Sequence, residues 1–132
     1  MSRPQVLVVA GTHGNEINAP WLLDQWGENP DLIEVNGANV AKTIGNPKAL
    51  KACVRYIDSD LNRSFRPEFL NDSLNQRYEV VRARELLASY GPQGFHPCHI
   101  SIDLHSTTSS MGTSLVVYGR RPQDLALCAL IQ

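Results

Sequence analysis

The chain has 132 residues, of which 42% are hydrophobic and 19% are charged, so it is long enough for one domain with a buried core. Twelve basic and thirteen acidic residues give a net charge of -1, and no block of like charge is present. This balance argues against a nucleic-acid-binding protein and against a charged interaction tail. A substrate must therefore be recognised by a few placed charges.

The three cysteines, Cys53, Cys98 and Cys128, are widely spaced. Their odd number and the lack of a CxxC pair argue against a disulfide framework and against a cysteine zinc site. We expect reduced, buried thiols in a cytoplasmic protein. The first apolar run ends at Gly11, too early for a signal peptide or a membrane span, so no membrane association is expected.

The hydrophobic pattern of the first third of the chain predicts strands and a helix. The apolar run 5–10 is typical of a strand buried on both faces. Asn15 is expected to cap a helix that ends at Gly27. Segments 32–36 and 38–44 are predicted to form a two-stranded hairpin around an Asn-Gly turn.

The middle of the chain predicts two helices separated by irregular chain. Pro47 is expected to begin a short helix that ends near Val54. Segment 55–72 is predicted to be irregular, with Pro67 as a breaker, and segment 76–90 to be an amphipathic helix. The apolar positions of that helix are Tyr78, Val81, Leu86 and Tyr90.

The last part of the chain predicts two more strands and a helix. The strands are 100–104 and 114–118, and the helix runs from Asp124 to Ile131 without a stop signal. Strands that alternate with helices favour an α/β fold with a largely parallel sheet. Because the last helix has no stop signal, we expect the C-terminal part of the domain to lie outside residues 1–132.

Two predicted strand ends are followed by histidine, His13 and His105. In open α/β sheets, functional groups gather at the carboxyl ends of strands. His13 and Glu16, three residues apart at a predicted helix entrance, are expected about 60° apart around the helix axis, on one side. Two histidines and one carboxylate leave a fourth zinc position open for water, as in hydrolytic zinc enzymes. The pattern therefore predicts a metal site.

Less specific interpretations of these residues stay open. Residues 11–15 could form a plain turn with a solvated His13, and His105 could be a buried core residue. The glycine-rich turn could hold an anion on its backbone N–H groups. It lacks the lysine and serine of a phosphate loop, which argues against nucleotide binding. The pair His96 and His99, in a proline-containing loop, is interpreted as structural.

The polar segment 55–63 carries side chains suited to carboxylates. Arg55, Asn62 and Arg63 offer several donors for carboxylate oxygens. Asp60 could orient a metal-bound histidine through its second ring nitrogen. The alternative is a solvated loop held by salt bridges.

Five segments together carry a family resemblance. They are GTHGNE, NPKALKAC, RYIDSDLNRSF, YEVVRARE and DLHSTTSSMG, and they cover the chain from about residue 6 to about residue 119. In order and spacing they resemble the aspartoacylase and succinylglutamate desuccinylase family, a branch of the zinc carboxypeptidase superfamily. They are most similar to its aspartoacylase branch. The desuccinylase branch is similar at the first motif and diverges after the second histidine, so it is the second choice.

The resemblance implies a role for each residue of the predicted metal site. His13 and Glu16 match the family's first two zinc ligands, and His105 matches the third, which implies one zinc per chain. Asp60 matches the aspartate that holds the first histidine in orientation. The implied fold is a zinc-peptidase-like α/β domain with helices on both faces of the sheet, of which residues 1–132 would be the N-terminal part.

The resemblance also implies a substrate and an activity. Arg55 matches the arginine that polarises the scissile carbonyl, and Asn62 and Arg63 match the pair that binds a substrate carboxylate. The implied reaction is hydrolysis of an N-acyl amino acid, N-acetyl-L-aspartate in the first place, to acetate and L-aspartate. A desuccinylase or a carboxypeptidase-like hydrolase is the alternative within the class. A homo-oligomer is compatible with the sequence, which does not decide the oligomeric state.

One expected part of the family's machinery has no counterpart in the chain. The catalytic glutamate of the family lies downstream of the third ligand, where this sequence has a single acidic residue, Asp124. We therefore expect residues 1–132 alone to have little deacylase activity. A truncated, non-catalytic metal-binding module is the alternative from a different functional class.

Overall fold

A parallel sheet forms around the first apolar run. The computed structural model describes residues 3–131. Strand β1 (Gln5–Ala10) lies between β2 (Asn39–Ile44) and β3 (Ile100–Leu104), and both pairings are parallel. Because β1 has a hydrogen-bonded neighbour on both edges and is covered on both faces, its apolar run is continuous rather than alternating. The predictions of β1, β3 and a parallel sheet are confirmed.

Helices connect the strands and cover the two faces of the sheet. They are α1 (Asn18–Glu28), α2 (Pro47–Ala52), α3 (Pro67–Leu70), α4 (Tyr78–Tyr90) and α5 (Pro122–Ile131), with 3-10 turns at Pro30–Leu32 and Leu61–Arg63. The chain steps from β1 to β2 on one side and then crosses to β3 on the other. Right-handed crossovers in opposite directions place their helices on opposite faces. The α/β fold with helices on both faces is thus confirmed.

Alternate side chains of β1 face the two helical layers. Val8 packs with Leu23 of α1, in a cluster that Ala10 and Ala19 complete. On the other face, Leu7 and Val9 lie across from α4, around a cavity of about 350 Å³. The second cluster joins Leu61 of the 3-10 turn to Ala83 and Leu86 of α4, and so holds the turn at Leu61–Arg63 against that helix.

The predicted hairpin in segments 32–36 and 38–44 is wrong. A turn is present at Asn36-Gly37, where Gly37 has a φ of +97°, a left-handed conformation that favours glycine. Only residues 39–44 form a strand, and that strand pairs in parallel with β1. Strands β1 and β2 are parallel neighbours, which need a crossover connection, and α1 lies in that connection. The Asn-Gly turn therefore comes before β2 and does not join two paired strands.

Helix α1 begins and ends later than predicted. Its cap residue is Ile17 rather than Asn15, which lies in the preceding turn. The helix continues through Gly27 to Glu28. A Cβ at Gly27 would meet no atom within 4 Å, so this exposed glycine is tolerated inside the helix and does not end it.

The proline and cysteine predictions are only partly correct. Pro67 begins α3 instead of breaking the chain, because proline is suited to the first position of a helix. Helix α2 ends at Ala52, two residues before the expected end, and Cys53 caps it with a φ of +53°. The cysteines are free, as expected, but the prediction that they are buried is wrong: Cys53, at the end of α2, is exposed, and Cys98 and Cys128 are half-buried.

Helix α4 buries a different set of side chains from the one that its apolar spacing predicts. Of the four predicted positions only Leu86 is buried. Glu79, Val80 and Ala83 are buried as well. The burial of Glu79 is possible because four hydrogen bonds satisfy its carboxylate, one of them from Asn46.

The predicted strand 114–118 is wrong. Residues 105–121 have no regular secondary structure, and Tyr118 is 92% exposed. A strand needs a hydrogen-bonded neighbour. None of the three strands in residues 3–131 pairs with this segment. Helix α5 follows close to its predicted start. Of the helices in the described residues, none combines the length and the apolar character needed to cross a membrane.

Candidate metal centre

The loop after β1 holds His13 in a fixed position. Gly11 has a φ of +65°, which favours glycine. Gly14 lies so close to α2 that a Cβ would overlap the backbone of Ala49. The N–H of Gly14 donates to the carbonyl of Arg55 over 3.2 Å. Packed in this way, His13 is only 5% exposed.

Glu16 faces the same side as His13 because of a turn rather than a helix. The N–H of Glu16 donates to the carbonyl of His13 over 3.2 Å, and α1 begins only at Asn18. The turn places Oε1 of Glu16 2.7 Å from Nδ1 of His13. The predicted placement on one side is therefore right, whereas the predicted helix entrance is wrong.

His105 reaches the same carboxylate from the neighbouring strand. Ala10 and Leu104 are paired across β1 and β3, so the residues that follow them emerge at one edge of the sheet. Nδ1 of His105 lies 3.1 Å from Oε2 of Glu16, and the rings of His13 and His105 have centroids 5.0 Å apart. Ligand atoms of the three residues lie within 4.8 Å of one another. The structure thus brings the three predicted ligands together.

The donor chemistry of this cluster fits a divalent metal. Each imidazole directs Nδ1 to Glu16 and Nε2 to another carboxylate, that of Asp60 at 3.3 Å for His13 and that of Asp103 at 2.8 Å for His105. Ionised carboxylates only accept hydrogen bonds, and a neutral imidazole has a single N–H. A cation among the Nδ1 atoms and Glu16 would leave each Nε2–H to donate to its aspartate, as is usual for metal-bound histidines. Two imidazoles and a carboxylate are common zinc ligands.

Asp103 is a residue of the cluster to which the sequence motifs assign no role. It lies on β3 two positions before His105, hence on the same side of the strand. Its second oxygen accepts a hydrogen bond from the hydroxyl of Thr12 over 2.9 Å. In the sequence, this role could have been recognised from an aspartate that lies two residues before a histidine at a strand end. Asp60, by contrast, lies beside His13, where the resemblance implies it.

Hydrogen bonds favour the ionised form of two acids of the cluster, Glu16 and Asp60. Burial raises the pKa of Glu16, but the hydrogen bond from the Ser106 N–H and the contact with His13 outweigh it and leave that pKa below its ordinary value. The same holds for Asp60, where burial is outweighed by hydrogen bonds from His13 and from the Asn62 N–H. The cluster therefore offers negative charge to a cation at neutral pH.

His105 is held by acids on both sides. The hydrogen bond to Asp103 raises the pKa of His105, against the opposing effect of burial, and the charge of Glu16 adds to the increase. A metal ion binds the neutral imidazole. Protons therefore compete with a metal for this ligand as the pH falls.

The polar segment before α3 lies beside the cluster. Nη2 of Arg55 donates to Oδ2 of Asp60 over 3.2 Å, and half of the Arg55 side chain remains exposed. Asn62 lines the cavity beside β1 together with Asp103. Arg63 is exposed at the end of the 3-10 turn. Within residues 3–131 it makes no side-chain hydrogen bond to the cluster.

The second histidine pair lies away from this centre. Nδ1 of His99 accepts a hydrogen bond from the N–H of Gln5 over 3.0 Å, and the His99 N–H donates to the Gln5 carbonyl over 2.8 Å. His99 thus joins the start of β1 to the chain before β3, a structural role as predicted. His96 is exposed.

Residues 2–132 match the Succinylglutamate desuccinylase/Aspartoacylase catalytic domain family. The chain belongs to this family. It is 62% identical over 132 residues to a probable aspartoacylase of Prochlorococcus marinus (strain MIT 9313) and equally to one of Synechococcus sp. (strain CC9605). Both matches cover 100% of this chain and 43% of the relative, so the chain spans less than half the length of these proteins.

Solved structures resemble this member of the desuccinylase/aspartoacylase family as well. Murine aminoacylase 3 matches with a TM-score of 0.69 and 37% identity, over 80% of this chain and 36% of the aminoacylase. The succinylglutamate desuccinylase of Chromobacterium violaceum matches with a TM-score of 0.55 and 28% identity, over 66% of this chain and 28% of the desuccinylase. The similarity supports the α/β fold that the sequence predicts.

Proposed function

We propose that this chain carries the zinc site and a substrate-binding segment of a hydrolase that cleaves the amide bond of an N-acyl amino acid. The observation that carries the proposal is the convergence of His13, Glu16 and His105, with an aspartate behind each histidine. Membership of the desuccinylase/aspartoacylase family supports the reaction class. The donor set supports zinc as the metal.

Each residue of the centre has a distinct task in this proposal. Zinc held by His13, Glu16 and His105 would supply a Lewis acid that promotes ionisation of water near neutral pH. Asp60 and Asp103 fix the tautomer and the orientation of the two imidazoles. In the reaction, the bond between the acyl carbon and nitrogen breaks. The hydroxyl of water goes to the acyl carbon and a proton goes to the amine.

The polar segment beside the centre supplies donors for the substrate. Arg55, anchored by Asp60, is suited to stabilise the charge that develops on the acyl oxygen, an effect worth about 3–4 kcal/mol for a well-placed donor. Asn62 and Arg63 would hold a carboxylate of the amino-acid part and so fix its register. The general base that the resemblance implies stays unassigned in residues 3–131.

We propose N-acetyl-L-aspartate as the substrate, with acetate and L-aspartate as the products. The identity to two proteins named as probable aspartoacylases supports this choice. N-succinyl-L-glutamate is the second candidate, because a succinylglutamate desuccinylase is among the similar structures. Both compounds carry carboxylates that Asn62 and Arg63 would bind.

An assay of both substrates with a count of zinc tests the proposal. Because the relatives are longer, the assay uses residues 1–132 and a version extended past Gln132, at equal zinc occupancy. We expect one zinc per chain after dialysis, release of L-aspartate by the extended version, and little release by residues 1–132. Zinc near zero with no turnover would overturn the proposal. If zinc binds but neither version releases L-aspartate, the hydrolase proposal is wrong and the chain is a non-catalytic metal-binding module.

Substitution of Arg63 tests the binding of the substrate carboxylate. In the version extended past Gln132, Arg63→Lys should raise KM for N-acetyl-L-aspartate, because lysine cannot form the forked pair of hydrogen bonds. Arg66→Lys, at an exposed arginine nearby, is the matched control and should leave KM unchanged. The cytoplasmic location and the homo-oligomer stay predictions from the sequence.

A further inference from the structure

We infer that Glu79 is a positioning residue for the polar segment that carries Arg55, Asp60 and Asn62. This inference depends on the proposed function, since it assigns that segment to the substrate. The juxtaposition that carries it is a fully buried carboxylate on α4 facing the backbone of residues 57–59.

The Glu79 carboxylate is 0% exposed and accepts four hydrogen bonds. One comes from Nδ2 of Asn46 over 2.9 Å. The others come from three successive backbone N–H groups, those of Ile57 at 2.6 Å and of Asp58 and Ser59 at 3.0 Å each. Successive N–H groups that converge on one anion require a bent backbone, so Glu79 determines the conformation of this stretch.

The stretch that Glu79 holds leads directly into the site. Asp60 follows Ser59, and its Oδ1 contacts both His13 and the N–H of Asn62. Asp58 strengthens the same junction, since its Oδ2 accepts a hydrogen bond from the N–H of Tyr78 over 2.7 Å. Thus a side chain of α4 accepts hydrogen bonds from the backbone of the polar segment, and a side chain of the polar segment accepts one from the backbone at the start of α4.

Within residues 3–131, the backbone N–H groups of Ile57, Asp58 and Ser59 have no hydrogen-bond partner other than Glu79. Residues 54–60 have no helix or strand, and most of their side chains are exposed. With glutamine in place of Glu79, the side-chain amide would turn an N–H group toward backbone donors. At least one buried donor would lose its partner, and the bend would relax.

Arg82 offers a matched control on the same helix. Its guanidinium donates to the carbonyls of Ile44 and Gly45 over 2.9 Å each. It therefore anchors α4 to the end of β2, as Glu79 anchors α4 to the polar segment. Arg82→Lys should weaken the packing of the helix without releasing residues 57–63.

The test compares Glu79→Gln and Arg82→Lys with the wild type, each as the full chain loaded with zinc. Hydrogen exchange, zinc affinity by chelator competition and affinity for N-acetyl-L-aspartate are measured. Glu79→Gln should speed the exchange of amides 57–63 by at least ~10-fold and weaken both affinities by ~10-fold, through Asn62 for the substrate and Asp60 for zinc. Where turnover is measured, KM should change more than kcat. Arg82→Lys should leave these readouts near the wild type.

Equal effects of the two variants on amides 57–63 and on both affinities would overturn the inference, because a general loss of stability would then explain them. If Glu79→Gln does not fold, exchange in the wild type decides. The amides of Ile57, Asp58 and Ser59 should be as protected as those within α4, and free exchange would overturn the inference. If the wild type neither binds nor cleaves an N-acyl amino acid, the proposed function fails, while the exchange data still decide the role of Glu79.

Discussion

The two halves of the candidate metal centre are supported in different ways. The His13 half, which comprises His13, Gly14 and Asp60, is packed against α2 and the polar segment, and His13 is 5% exposed. The His105 half comprises His105 and Asp103, whose side chains are 34% and 32% exposed. Glu16 joins the halves, since each of its oxygens contacts one imidazole.

This difference indicates a preformed half and an adjustable half. The His13 half is fixed by buried backbone contacts that a metal cannot easily change. The His105 half follows β3 and precedes residues without regular structure, so its side chains keep more freedom. A binding site gains affinity when its ligands are held in place before the metal arrives. The His105 half should therefore limit the affinity.

Replacement of Glu16 should have the largest effect because it breaks both halves at once. Glu16→Ala removes the carboxylate that both imidazoles face, so zinc affinity should fall by well over the ~100-fold that is typical of losing an outer partner. Chelator competition measures the change. Glu28→Ala, an exposed acid at the end of α1, is the control and should bind zinc normally. Zinc binding retained in Glu16→Ala would mean that Glu16 is not a ligand.

A side chain at Gly14 should break the His13 half alone. In Gly14→Ala the added Cβ overlaps the backbone of Ala49, which cannot move as a flexible side chain could. We expect the free energy of unfolding to fall by about 2–3 kcal/mol, as in other overpacked sites. Gly27→Ala has open space around the new methyl group and should stabilise α1 by about 0.5–1 kcal/mol. Denaturant unfolding of both variants measures this, and similar midpoints would contradict the close packing.

The two aspartates allow the halves to be compared directly. Asp60→Ala and Asp103→Ala each remove an outer partner of one histidine, so each should weaken zinc binding by ~10–100-fold. Asp60 is held by Arg55 and the Asn62 N–H in the better packed half, so its loss should lie at the upper end of that range. Chelator titration of both variants decides the order. A larger loss for Asp103 would reverse the assignment of the preformed half, and unchanged affinity would make either aspartate an ordinary surface acid.

Protonation of Glu79 at low pH should destabilise the segment that supports the His13 half. We expect this to be the smallest of the predicted effects. Burial raises the pKa of Glu79, but hydrogen bonds from the Ile57 N–H and from Asn46 outweigh it, so that pKa is below its ordinary value of 4.5. A lowered pKa stabilises the fold above 4.5, and this contribution is lost as the pH falls through the pKa of the folded state. Stability measured between about pH 6 and pH 3 should therefore fall less steeply in Glu79→Gln than in Glu85→Gln, an exposed control. Parallel slopes would contradict this.

The parts of the fold that short-range patterns control were predictable from the sequence. Apolar runs predicted β1 and β3, and their shared direction predicted that His13 and His105 would lie at one edge. The hairpin prediction failed because an Asn-Gly turn specifies a local reversal and not which strand the chain pairs with afterwards. The strand at 114–118 failed for a related reason, since β propensity depends on a neighbour that no local pattern reveals.

Two supporting acids of the candidate site, Glu79 and Asp103, were harder to predict than Asp60 and the three candidate ligands. The placement of Glu16 and Asp60 beside His13 followed from spacing and from family resemblance. Glu79 was hidden, because a charged residue is expected to be exposed unless partners are known, and three of its partners are backbone groups of a distant loop. Asp103 was hidden because its role depends on Thr12 and on a histidine ring that must first be placed in three dimensions.

The contact of His105 with Glu16 has a consequence for the folding kinetics. These two residues are separated by 89 positions in the chain, and they meet only after β3 has paired with β1. Such long-range pairing forms slowly, since the chain loses loop entropy before contacts compensate for it. A metal that bridges the two strand ends binds the closed loop and not the open chain, so it would slow reopening far more than it would speed closure. Zinc would then lengthen the lifetime of the folded protein by keeping β1 and β3 paired.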